Sequence, residues 1–319
     1  MKTSKRKIAL VGCGKVGMAF AYSVLQNGIC DELVLIDTDV RRAAAEAEDL
    51  RHGLCFLSRV TNVYAGDYAD LSDTDILLIT AGVAQSPGED RMALARRNTA
   101  VMEDVVDKIK QSAFRGIYLI ATNPVDIMAQ LVKDLSGAPA HRVIGSGTIL
   151  DTARFRAMLG AFFQIDPKNL HAYVLGEHGE TEFVPWSQVS VASKWAPEIC
   201  RQHPLRFPIS ELLSYEAKTR RAAGELIEAK GATSYGIATA LCRLCDAILS
   251  DDNSIFTLSC YLQGEYGCHN VYIGVPAVVG KNGVREIVTL DLTKEESERF
   301  RRCSCYLKSV YQDLKPSLV

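Results

Sequence analysis

The sequence predicts an α/β fold, with a doubly wound parallel-sheet domain over residues 1–146 followed by an α+β domain over residues 147–319. Three observations predict it. Short apolar runs alternate with amphipathic stretches through the first half, the pattern of strands buried on both faces and covered by helices. A glycine-rich turn joins the first apolar run to the first amphipathic stretch. Beyond the middle the alternation stops, and long helical patterns mix with strand-like runs.

The elements follow in order. "KIALVG" (7–12) reads as a buried strand, "KVGMAFAYSVLQNG" (15–28) as a helix and "ELVLID" (32–37) as a second strand. "VRRAAAEAEDLRHG" (40–53) is a helix rich in alanine and in paired charges. "TDILLITAG" (74–82) and "GIYLIATNP" (116–124) are two further buried strands, each ending in small or polar residues. Right-handed crossovers between parallel strands then wind helices onto both faces. In the second half, helical patterns lie near 211–229, 234–250 and 293–314, and strand-like runs at 171–176, 270–280 and 284–292. "KWAPEICRQHPLRFPIS" (194–210), with three prolines, reads as a surface connection.

Of the 319 residues, 48% are hydrophobic and 23% charged, a composition that supports an ordinary core. The formal net charge of −2 argues against nucleic acid as a partner. No apolar run has the length to span a bilayer, so no membrane role is expected. The basic start meets only Ile8 to Val11 before glycine intervenes, too short for a secretion signal, which points to the cytoplasm. Ten cysteines show no small-domain disulfide spacing. Cys242 and Cys245 share a helix face without a second cluster, so they read as packing rather than a metal site, as do Cys303 and Cys305. No metal is expected.

"GCGKVG" sets Gly12, Gly14 and Gly17 in the G-x-G-x-x-G pattern between strand and helix. The first glycine permits the turn, the second admits a pyrophosphate to the backbone and the third lets helix and strand pack closely. The helix start offers unpaired N–H groups to the phosphates. Asp37 closes the second strand 20 residues after Gly17. A carboxylate there accepts from a ribose diol and repels a 2′-phosphate, so the cofactor is NAD and the domain a Rossmann domain.

His178 stands between glycines in "VLGEHGET", and "GTILDTARFR" places Asp151 and Arg154 three residues apart, on one face if 148–160 is helical. Oxidising a secondary alcohol with NAD needs a base, which His178 provides. An aspartate bonded to the imidazole fixes its tautomer. Arginine offers a two-pronged partner to a substrate carboxylate. Polarising the carbonyl in the reverse direction calls for a second cation, and Arg91, closing the loop "AGVAQSPGEDR" (81–91), is placed to supply it. Gly82 and Gly88 flank Gln85 as hinges for closure of that loop.

Taken together, "GCGKVG", Asp37, "AGVAQSPGEDR", "TNPVD" (122–126), "GSGTILDTARFR" (145–156), "GEHG" (176–179) and "KGATSYGIA" (230–238) run nearly the whole chain. In these the sequence resembles the L-lactate dehydrogenases of the lactate/malate dehydrogenase family. The resemblance implies His178 as proton donor and acceptor, Asp151 as its carboxylate partner, Arg154 as clamp for the substrate carboxylate and Arg91 as the carbonyl-polarising cation. It implies Asn123 near the carbonyl and the nicotinamide, Thr233 in the substrate pocket, and Val16, Tyr68, Gly82 and Ser146 against NAD. Malate-specific members carry arginine where this chain has Gln85. A neutral amide there leaves a second substrate carboxylate buried without a partner, at a cost of several kcal/mol, so the substrate is a small 2-oxo or 2-hydroxy monocarboxylate. Pyruvate and L-lactate fit best. The alternatives are 2-hydroxyisocaproate, malate, or a non-catalytic NAD-binding protein. The resemblance also implies a homotetramer, with the helix at 40–53 in a dimer contact, and a fructose 1,6-bisphosphate site at Arg156 and His171. Glu180 and Met92 depart from the aspartate and leucine commoner in the family and remove no catalytic group.

Overall fold

The computed structural model describes residues 5–83 and 91–314, the side chain of Arg91 excepted. In chain order the first half comprises β1 (Lys7–Val11), α1 (Lys15–Asn27), β2 (Glu32–Ile36), α2 (Val40–Gly53), β3 (Asn62–Ala65), β4 (Ile76–Ile79), α3 (Arg91–Gln111), β5 (Ile117–Ile120), α4 (Val125–Ser136) and β6 (Val143–Gly145). There follow α5 (Ile149–Phe163), β7 (Leu170–His171), β8 (Ser190–Val191), β9 (Lys194–Trp195), α6 (Ala196–Gln202), α7 (Ile209–Lys230), α8 (Tyr235–Ser250), β10 (Ile255–Gln263), β11 (His269–Gly280), β12 (Gly283–Ile287) and α9 (Lys294–Leu314).

The larger sheet has the order β12-β11-β10-β6-β5-β4-β1-β2-β3. Its first six strands in sequence pair in parallel, so that they lie in space as 3-2-1-4-5-6. In this arrangement the crevice opens where the order reverses, beyond the carboxyl ends of β1 and β4. β1, β4 and β5 are buried along their whole length, which is why their sequences are unbroken apolar runs rather than alternating ones. A parallel-sheet nucleotide domain is thus followed by an α+β region. Its β10 joins β6 in antiparallel fashion through Ser259 and Gly145, and β11 and β12 continue as an antiparallel meander.

Helix ends follow local chemistry. Gly28 closes α1 in the left-handed region, its N–H meeting the carbonyls of Leu25 and Val24. Asp39 opens α2 by accepting the Arg42 N–H. A second apolar cluster gathers Phe155, Leu159 and Phe163 of α5 with Leu212 and Tyr215 of α7.

That cluster corrects one expectation. Residues 194–210 are not a plain surface connection: they contain β9 and α6, and they bury Ala196, Cys200 and Phe207. Pro197 sits in the first turn of α6, where a missing N–H costs nothing. The run 171–176 is likewise mostly irregular, with strand only at Leu170–His171.

Candidate active site

The crevice end of β1 is built for close approach. Gly12 takes φ +106°, and a Cβ there would lie 2.6 Å from the Ala81 nitrogen. A Cβ on Gly17 would strike the Gly12 carbonyl oxygen, so α1 sits directly on the turn. Gly14 differs: a Cβ there would meet nothing within 4 Å. No side chain caps α1, which leaves its first N–H groups for an anion. The Thr80 hydroxyl donates to the Gly12 carbonyl at 2.8 Å and ties β4 to the turn. At the end of β2, Asp37 accepts the N–H of Cys13 at 2.7 Å on one oxygen and that of Asp39 at 3.0 Å on the other. A carboxylate has about four acceptor positions, so capacity for a ribose hydroxyl remains. Open backbone at Gly14, an uncapped helix start and a carboxylate at the second strand fit a dinucleotide. Val16 and Tyr68 are half-buried beside this crevice, and Ser146 is buried with its N–H on the Ile120 carbonyl at 2.8 Å.

Three of the sequence-predicted site side chains, all from the second half, meet beside the crevice. α5 presents Asp151 and Arg154 one turn apart, and Arg154 Nη1 donates to Asp151 Oδ1 at 2.8 Å. The other carboxylate oxygen meets His178 Nδ1 at 2.7 Å. Asp151 is 3% exposed, whereas a quarter of the His178 side chain remains open. Burial alone would push the Asp151 carboxyl up; the His178 ring and the Arg154 guanidinium outweigh it and hold it below the usual carboxylate range. For His178, burial would favour the neutral ring, but Asp151 prevails and raises its pKa to about 9.

The loop carrying His178 is clamped on several sides. Gly176 exchanges N–H and carbonyl with Gly274 of β11 at 3.0 and 2.8 Å. Leu175 and Phe183 do the same across the neck of the loop. The His178 N–H donates to Asp126 of α4 at 2.9 Å, and the other oxygen of Asp126 accepts the Ser259 hydroxyl of β10 at 2.5 Å. Cys303 of α9 donates its thiol proton to the Thr181 carbonyl.

Other sequence-predicted residues fall around this centre. Thr233 lies in the connection between α7 and α8, near Gly231, where a Cβ would come 3.8 Å from Lys15 Nζ, and just before Gly236 in the first turn of α8, where a Cβ would touch Leu150. It therefore spans from the start of α1 to the start of α5. Asn123 is exposed at the end of β5, and its carbonyl accepts from Asn98 at 2.7 Å. Gly82 opens the loop after β4 and is exposed. Gln85 and Gly88 lie outside the described residues, and of Arg91 only the backbone, at the start of α3, is described. Arg156 turns its Nε to the Ala172 carbonyl at 2.8 Å and its guanidinium toward the Tyr173 ring, 5.2 Å from the ring centre, while His171 is exposed at the end of β7.

Three residues were missed from sequence. Asn98, 1% exposed, accepts the Val83 N–H at 2.8 Å and so holds the base of the loop against Asn123. Asp126 lay within the quoted "TNPVD", but nothing local reveals that it holds a loop 52 residues on. Glu182 is buried beside His178, and in sequence it resembles any surface glutamate.

Fold and site together define an NAD-dependent oxidoreductase. Residues 6–145 match the NAD-binding domain model of lactate/malate dehydrogenase, and residues 148–316 match its α/β C-terminal domain model. The chain belongs to the lactate/malate dehydrogenase family. It is 45% identical over 304 residues to L-lactate dehydrogenase 1 of Peribacillus psychrosaccharolyticus, covering 95% of each chain. Among solved structures it superposes with a TM-score of 0.94 on a lactate dehydrogenase from a Medee basin deep-sea metagenome library, at 42% identity over 98% of this chain and 100% of that one. The minor L-lactate dehydrogenase of Enterococcus mundtii in its ligands-bound form also gives 0.94, at 38% identity over 98% and 99% of the two chains. Among the described residues no helix is long and apolar enough to cross a membrane.

Proposed function

We propose that this chain is an L-lactate dehydrogenase that reversibly reduces pyruvate to L-lactate with NADH. The observation that carries the reading is the Asp151 carboxylate shared between His178 at 2.7 Å and Arg154 at 2.8 Å. Residues 1–146 would serve the cofactor and 147–319 the substrate. Gly12, Gly14, Val16, Gly17, Asp37, Tyr68, Gly82, Asn123 and Ser146 would hold NAD, which when bound supplies or accepts the hydride. Asp151 keeps the Nδ1 proton of His178 in place, so that Nε2 faces the substrate and carries the proton that the carbonyl oxygen takes up. Arg154, fixed by Asp151, pairs with the substrate carboxylate. Arg91 polarises the carbonyl, and Gln85 leaves no partner for a second carboxylate. Thr233 bounds a pocket sized for a methyl group.

The protonation of His178 sets the direction of the pH dependence. With its pKa raised to about 9, the ring is protonated at neutral pH and ready for reduction. Lactate oxidation needs the neutral ring and is favoured as pH rises through that value.

The same reading includes a cytoplasmic enzyme of fermentative glycolysis, a homotetramer with α2 in a subunit contact, and fructose 1,6-bisphosphate as effector at Arg156 and His171. The placement of Arg156 against the residue that follows His171 supports the last point. The test is an NADH-oxidation assay with pyruvate, oxaloacetate and 2-oxoisocaproate, with and without the bisphosphate. Pyruvate is expected to be preferred, and Gln85→Arg should move preference toward oxaloacetate. His178→Asn should lower kcat/KM by about 10²-fold or more. Preference for oxaloacetate in the native chain would overturn the substrate assignment, and absence of turnover with every 2-oxo acid would leave a dinucleotide-binding protein.

A further inference from the structure

Glu182 is an acid in an expensive place. The loop folds back on itself through a hydrogen bond from the Glu182 N–H to the Gly179 carbonyl at 3.2 Å. The fold-back brings a carboxylate oxygen of Glu182, one of Asp151 and a ring nitrogen of His178 to within 4.8 Å of one another. Glu182 is 4% exposed. Burying an acid next to an ionised carboxylate costs folding energy that an amide of the same shape would not.

Among the described residues, four charged groups bear most on Glu182. Asp151 and Arg154 reach it from α5, His178 from its own loop and Arg220 from α7. Asp126 meets the backbone N–H of His178 at 2.9 Å. Arg220 donates to the Glu182 backbone carbonyl at 3.0 Å and pairs with Glu216 at 3.2 Å, a carboxylate it shares with Arg299, so its charge is partly matched. Its Nε is buried with no hydrogen-bond partner among the described residues. Asp151 is matched as well, since Arg154 takes one of its oxygens. The His178 proton is thus held by a carboxylate whose charge is half spent. Burial first, and then the Asp151 charge, push the Glu182 acid up to about 8. Its anion consequently appears only in mildly alkaline solution, where His178 approaches its own titration.

We propose that Glu182 is an electrostatic positioning residue, a second carboxyl that keeps the proton on His178 and so extends reduction of the 2-oxo acid into alkaline solution. This rests on the dehydrogenase reading above and adds a group to it. No proton need pass between Glu182 and substrate: the acid loses its proton to solvent, and the resulting anion stabilises the imidazolium across less than 5 Å.

The test is Glu182→Gln, assayed for pyruvate reduction and lactate oxidation across pH. The ratio of native to variant kcat/KM for pyruvate should rise about fivefold between about pH 7 and about pH 9, as the alkaline limb moves down by about one pH unit. The acid limb of lactate oxidation should move down equally. Glu182→Asp should recover part of the shift. Histidine NMR of the ligand-free protein, with His178→Gln for assignment, should show His178 titrating about one unit lower in the glutamine variant. A loss equal at all pH values, or an unmoved His178 titration, overturns the proposal. Should the glutamine variant not fold, Glu182→Ser carries the same expectation. Native protein without pyruvate turnover would refute the dehydrogenase reading, while the NMR titration would still decide the role of Glu182.

Discussion

Asp126 illustrates what a single buried charge does. It accepts the backbone N–H of His178 and the hydroxyl of Ser259, and burial pushes its carboxyl up to about 6. The folded chain therefore holds this proton more tightly than the unfolded chain, whose carboxyl titrates near 3.9. Below that value the ion costs nothing; the cost grows as pH rises through about 6 and is complete above it. Asp126→Asn keeps an acceptor for the His178 N–H and removes the ion. It should be more stable than the native chain near about pH 8, by about 3 kcal/mol, with the gap closing toward about pH 4. Denaturant unfolding at the two pH values checks this, and a gap independent of pH would contradict it. His178, Asp151 and Arg154 were legible because Asp151 and Arg154 lie three residues apart and the three together complete one chemistry. Asp126 and Glu182 were not, because burial gives them their roles and burial is decided by the tertiary fold.

At the level of elements, the glycine turn and the start of α1 make separable demands. Gly17 has no room for a side chain, whereas Gly14 has open space. Gly17→Ala should therefore lower thermal stability along with NADH affinity. Gly14→Ala should melt within a degree or two of the native chain and still bind NADH about tenfold or more weakly, because the methyl group occupies the approach of the pyrophosphate. Calorimetry and NADH fluorescence titration distinguish the two, and intact NADH binding in Gly14→Ala would displace the phosphates from this turn. Strands β1, β2, β4 and β5 were legible as continuous apolar runs. β3 is as long as β4 but begins with an exposed Asn62 and has only Val63 buried, and β6 has just three residues, so neither stood out. β10 was hidden by its own hydroxyls: Thr257 donates to the Thr148 carbonyl at 3.1 Å and Ser259 bonds Asp126, so polar residues that suggest a surface are satisfied inside. The segment 194–210 was misread for the complementary reason, since prolines that suggest a loop also suit a helix start.

Across the whole molecule, the two halves share one sheet and one principal core. β6 continues into β10, α1 packs against α8, and α4 packs against β11 and α9. A fragment of residues 1–146 would bare the edge of β6 and the apolar face of α1. It should self-associate in gel filtration and bind a hydrophobic dye, whereas a monomer with native circular dichroism would show that the nucleotide half stands alone. The clamp around His178 draws on α4, β10, β11 and α9, whose residues 126, 259, 274 and 303 come from widely separated parts of the chain. A nascent polypeptide stopped before α9 would already have its nucleotide turn, yet the loop that carries the imidazole would still lack its last buttress.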